Sequence, residues 1–197
     1  AQNVTMYGQN STQERDVALA LVAAWRATGL PALVLNDSTK ADVLLGLSEE
    51  DQDAWLPVQL KTTGSAQKTG NRWQFQHVTG YSGMPVVCWR CDFNDDGWVY
   101  DGVTLDEHNV KNLNVTPGGK NCKLALARHL DLDKLVQFLH THANQWPTVT
   151  EFAARHNFAS QLTATEMRGM DAFKALFPGH EYTFPKDQNS HVDLLQG

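Results

Sequence analysis

The order of apolar patterns predicts an α/β domain built as a helix, a mixed central sheet and a flanking helix. Three observations carry this. Apolar residues at helical spacing open the chain between residues 11 and 31, two short apolar runs follow between 41 and 63, and helical spacing returns between 130 and 142. With 197 residues, 42% of them hydrophobic, the chain is long enough to bury a proper core.

Each element has a local reason. Ser11 or Thr12 can cap a helix whose first turn holds Gln13, Glu14 and Asp16, acids being favoured at the positive end of a helix. Val17, Leu21, Ala24 and Trp25 form its apolar stripe, and Gly29-Leu30-Pro31 stops it. The runs Val43 to Leu45 and Trp55 to Leu60 are short and rich in strand formers, which reads as a β-hairpin. Its turn collects Glu49, Glu50, Asp51 and Asp53, a solvated tip. Arg72 to Gln76 alternates as a strand, and His77 to Gly83 is a short helical or turn segment carrying Tyr81. Met84 to Asp92 is an apolar strand; Asn94-Asp95-Asp96-Gly97 is a turn, and Trp98-Val99-Tyr100 is the hairpin partner. A break at Pro117-Gly118-Gly119 precedes an amphipathic helix from Leu130 to His142, its start favoured by Asp131 or Asp133.

Several function classes are disfavoured. No apolar run approaches the length that crosses a bilayer, and residues 1–10 are polar and uncharged, unlike a signal peptide. An intracellular location, cytoplasm or nucleus, with no membrane partner is therefore expected. Cys88, Cys91 and Cys122 are odd in number, which suits a reducing compartment better than a disulfide scaffold. Cys88 and Cys91 have the spacing of a zinc half-site or redox pair, yet a strand sends residues three apart to opposite faces, so core packing is expected. His140 and His142 read as residues favoured at a helix C-terminus.

The chemistry-bearing residues cluster on the hairpin. Asp42 opens its first run, and Gln59 and Lys61 lie near the end of the second, on one face because side chains alternate along a strand. If Asp42 sits across from them, one end of the hairpin presents a carboxylate, an amide oxygen and an ammonium. A hard cation such as magnesium takes oxygen ligands, which Asp42 and Gln59 supply. Lys61 could orient or help deprotonate an attacking water, or offset charge on a phosphate.

At these residues the chain resembles the PD-(D/E)XK nuclease superfamily, in its homing-endonuclease-like branch with a QxK variant. Asp42 matches the motif's first acid, and Gln59-Leu60-Lys61 its second half. The chain departs from the pattern at Ala41, where proline is usual, and at Gln59, which replaces an acid. The resemblance implies a restriction-endonuclease-like core and a glutamate on the preceding helix, a place that Glu14 fills. It also implies a divalent-metal-dependent endonuclease that hydrolyses DNA, with Glu14, Asp42 and Gln59 around Mg2+ or Mn2+ and Lys61 beside the water. The alternative is a catalytically inactive module of this fold that binds nucleic acid or protein, since a neutral Gln59 weakens metal binding.

A net charge of −6 argues against a nucleic-acid partner, but the distribution is uneven. Lys61, Lys68 and Arg72 lie in a stretch without acids, accompanied by Thr62 and Thr63. Lys68, Arg72, Thr62 and Thr63 are thus the expected contacts to DNA, double-stranded by expectation.

The tail repeats the beginning. Glu166 and Asp193 are spaced 27 residues apart, against 28 for Glu14 and Asp42, in a similar helix and strand pattern. The expected organisation is a nuclease-like domain over residues 1–145, a linker helix over 146–162, and from 163 to 197 the start of a second, incomplete nuclease-like unit. This C-terminal partial repeat is expected to pair with the first unit or with another copy as a homodimer.

Overall fold

The computed structural model describes residues 11–35, 41–49, 54–64, 71–92, 94–108 and 111–147. Of the linker expected over 146–162 only the first two residues are described; the rest of it, the second unit expected over 163–197, and Lys68 lie outside these residues.

The first helix, α1 (Ser11–Arg26), ends where expected, and three strands follow: β1 (Ala32–Val34), β2 (Val43–Gly46) and β3 (Trp55–Thr63). After β4 (Trp73–Phe75) come β5 (Pro85–Arg90) and β6 (Asp96–Asp101). Then α2 (Gly102–Glu107), β7 (Leu113–Val115), α3 (Lys120–Lys123), β8 (Ala127–Leu130) and α4 (Leu132–His142) complete the described elements, with a 3-10 turn at Ala143–Gln145.

The fold is α/β with a mixed central sheet flanked by helices. Six strands run in the order β1-β2-β3-β5-β6-β8, and β4 pairs with β7 in a separate ribbon. Among the described residues β3 and β5 form the one parallel pair of the large sheet; its other pairs are antiparallel. Val17, Leu21 and Trp25 of α1 and Leu135 and Leu139 of α4 pack with Leu60, Val87 and Trp89 on one face. On the other, Val86, Cys88, Trp98 and Tyr100 meet Trp73 and Phe75 of β4, Leu113 and Val115 of β7, and Leu105 of α2. Burial of aromatic and aliphatic area on both faces of β5 explains why that strand reads as a continuous apolar run.

Pro57 stands within β3, although proline cannot donate to a ladder. Val58 O and Leu60 N face the β2 side, so residues 57 and 59 face β5, whose pairing begins only at Gln59 with Val86. The missing donor therefore falls before the ladder starts.

The structure refines the sequence reading at four places. Between β4 and β5 the chain forms turns rather than a helix, with Gly80 and Gly83 both at φ +95. The partner of β5 starts at Asp96, two residues early, because Arg90 pairs with Asp96 across the hairpin. Arg90 is buried and also lies over the rings of Trp73 and Trp98, at 4.4 and 5.0 Å from their centroids. The stretch after the glycine break contributes the edge strand β8, whose half-exposed Ala-Arg-His-Leu run has no periodic signal. Helix α4 starts at Leu132, since Asp131 Oδ1 accepts from Lys134 N at 2.8 Å as its N-cap and Leu130 belongs to β8.

The two cysteines of the CxxC stretch face opposite sides of the sheet: Cys88 packs in the ribbon-side cluster and Cys91 in the helix-side one. Burial pushes the Cys91 thiol up to about 12, helped by the charges of Asp95, Asp92, Asp16 and Glu14. Burial raises Cys88 as well, against the pull of Lys61. A thiolate is the reactive species, so Cys88 and Cys91 are expected to resist iodoacetamide at neutral pH in the folded protein and to react on unfolding. Mass spectrometry of the native protein that finds either one alkylated within minutes would refute this.

Candidate functional site

The site forms where strand pairings change hands along β3. Pairing with β2 runs from Gly46 against Trp55 to Val43 against Val58, and pairing with β5 runs from Gln59 to Thr63. Leu60 therefore sits just past the start of β2 with backbone groups still facing that side. Its N–H donates to Asp42 Oδ2 at 2.7 Å, and its carbonyl accepts from Gln59 Nε2 at 2.9 Å. Asp42 is fixed in turn through its own backbone: its N–H donates to Val58 O at 2.9 Å, and its carbonyl accepts from Leu35 N at 2.8 Å. The carboxylate thus stands in for a strand acceptor, and buried amides need such partners.

Leu60 points into the helix-side cluster, so its neighbours Gln59 and Lys61 project from the other face of β3. Gln59 is buried, with 5% of its surface exposed, whereas Lys61 is half-buried. Lys61 lies opposite Cys88 of β5, and its Nζ stands 5.0 Å from the centroid of the Tyr81 ring. Among the described residues it makes no ion pair.

The structure sets the Asp42 carboxylate at the Leu60 amide, while Gln59 and Lys61 flank Leu60 on the opposite face of β3 from its side chain. Glu14 is carried by a different element. It lies in the first turn of α1, and its charge acts on Cys91, which packs on the helix-covered face. The first turn of α1 reaches the end of β3 through Gln13, a buried amide in contact with Gly64. Thr62 and Thr63 are half-exposed at that end, with Thr63 O accepting from Cys91 N at 2.7 Å, and Arg72 is exposed just before β4. Among the described residues, no group of three or more His, Cys, Asp or Glu side chains is placed to hold a metal. The hairpin offers a different donor set, one carboxylate and one amide oxygen, and a magnesium ion commonly takes one or two carboxylates with water and substrate phosphate completing its shell.

Sequence reasoning missed Tyr81 as a neighbour of Lys61. The residue was visible in the turn, but a contact between strand β3 and the segment before β5 follows from their parallel pairing, which no local pattern encodes.

No protein-family model, curated protein or solved structure matches this chain.

Proposed function

We propose that the chain is a divalent-metal-dependent endonuclease that hydrolyses DNA phosphodiester bonds, with a restriction-endonuclease-like core. The observation that carries the reading is the bond from Leu60 N–H to Asp42 Oδ2, which joins the first acid to the centre of the Gln59-Leu60-Lys61 triplet. The helix followed by three antiparallel strands, in the order of the PD-(D/E)XK resemblance, supports it.

In this reading Asp42 and Gln59 would hold Mg2+ or Mn2+, with Glu14 a third donor from the first turn of α1. The ion would polarise the scissile phosphate and its bound water. Lys61 supplies a positive charge beside the water and the phosphate oxygens, where negative charge grows in the transition state. Thr62 and Thr63 donate to the phosphate backbone past the cleavage point, and Arg72 with Lys68 adds charge. Double-stranded DNA is the proposed substrate, and the proposed location is intracellular. Magnesium-dependent nicking or linearisation of a supercoiled plasmid, abolished by EDTA, tests the reading; no cleavage with either magnesium or manganese would refute it.

One observation favours the second reading, a catalytically silent module that binds nucleic acid or protein. The Gln59 amide is buried and already bonded to its own strand, and it carries no charge for a metal. Gln59→Glu separates the two. The change adds an anionic ligand but removes the donor to Leu60 O, so manganese affinity in calorimetry should rise while thermal stability falls by about 1 kcal/mol. Unchanged manganese affinity would place Gln59 outside any metal site.

A further inference from the structure

The ammonium of Lys61 faces an aromatic ring rather than a carboxylate. Tyr81 carries that ring on the turn between β4 and β5, and its ring centroid is 5.0 Å from Lys61 Nζ. We infer that Tyr81 is a positioning residue for Lys61 and that Asp106 of α2 holds the turn that presents it; the inference rests on the nuclease reading of Lys61.

The turn is pinned on both sides of the tyrosine. Asp106 Oδ1 accepts from Gly80 N at 2.8 Å, and Asp106 Oδ2 accepts from the Ser82 hydroxyl. One carboxylate thus bridges the residues immediately before and after Tyr81. The Tyr81 carbonyl accepts from Met84 N at 3.2 Å, closing the turn, and Gly102 N donates to Met84 O at 3.1 Å. Gly102, the first residue of α2, passes so close that any side chain there would collide with the Tyr81 carbonyl. Helix α2 is therefore both the origin of Asp106 and the surface on which the turn rests. Asp101 caps it, its Oδ1 accepting from Val103 N at 3.0 Å.

A ring suits the proposed chemistry better than an acid would. Lysine has a long flexible stem, so an ammonium meant to meet a phosphate needs a partner that confines it. A carboxylate would confine it and also neutralise it. The face of an aromatic ring attracts a cation through its quadrupole while adding no charge, which leaves the full positive charge directed at the phosphate. The hydroxyl has no part in this attraction, so phenylalanine should substitute for Tyr81 and an aliphatic residue should not.

The test uses the full chain with two readouts, plasmid cleavage in magnesium and acetylation of Lys61 by acetic anhydride, read by mass spectrometry. Tyr81→Phe is expected to match the native protein in both. Tyr81→Leu should lower kcat by about three- to tenfold, with KM for plasmid little changed, and should raise the acetylation rate of Lys61 several-fold. Asp106→Ala, which loosens the turn without touching Lys61, should move both readouts the same way and covers the case in which Tyr81→Leu fails to fold. Native kcat and native acetylation in the folded Tyr81→Leu or Asp106→Ala protein would overturn the inference, as would equal losses in Tyr81→Phe and Tyr81→Leu. If the native protein cuts no plasmid, the nuclease reading fails separately. Acetylation then decides alone: a rise confined to Tyr81→Leu and Asp106→Ala keeps Tyr81 as the residue holding Lys61, and equal rates in all proteins remove it.

Discussion

Lys61→Ala is expected to lower magnesium-dependent plasmid cleavage by roughly 10²- to 10⁴-fold, the range lost when a group acting on the transferred proton or developing charge is removed. The fold should survive. Lys61 is half-buried beside Cys88 and Tyr81, and truncation removes a charge that has no ion-pair partner among the described residues. Far-ultraviolet circular dichroism and the melting temperature serve as the control. Lys61→Arg is informative as well, because a planar guanidinium cannot occupy the place of a compact ammonium. Cleavage by folded Lys61→Ala at even a tenth of the native rate would remove Lys61 from the catalytic role.

Asp42 is expected to show two separable effects. Its carboxylate is the proposed anionic metal ligand, and one of its oxygens also accepts from the Leu60 N–H at 2.7 Å. Asp42→Ala should abolish cleavage and manganese-dependent stabilisation. It also strips the Leu60 amide, on a residue with no exposed surface, of its acceptor, at a cost of about 1–3 kcal/mol. Asp42→Asn keeps an acceptor for that amide through its side-chain oxygen while removing the charge. It should therefore lose metal-dependent stabilisation and cleavage with less loss of thermal stability than the alanine variant. A melting-temperature shift with manganese that persists in Asp42→Asn would refute Asp42 as the charged ligand. Equal destabilisation in the two variants would show that the bond to Leu60 contributes nothing to the fold.

Much of the fold could be read from single residues and their spacing. Val17, Leu21 and Trp25 mark the buried stripe of α1, and the alternation through Gln59, Leu60 and Lys61 separates the two faces of β3. The same period of two sends Cys88 and Cys91 to opposite clusters, which argues against a metal pair without any coordinates. These features depend on neighbours within a few positions, where backbone geometry alone sets direction. Helix α2 gave no such signal, because it is only six residues long and its burial comes from Gly102 and Leu105, too few positions to set a period.

What joins distant segments was decided only in three dimensions. The hairpin alone put Asp42 near Gln59, but the bond to Leu60 depends on β2 starting at Val43 while β3 runs on to Thr63. The parallel pairing of β3 with β5 sets Lys61 against Cys88 and brings the turn carrying Tyr81 alongside. Glu14 has the right order along the chain for a shared site, but the face on which α1 packs follows from the core that Val17, Leu21 and Trp25 share with Leu60 and Val87, not from that order. Sequence order records which elements exist; which face each side chain shares with residues tens of positions away follows from strand pairing and core packing, and those are settled by the whole chain at once.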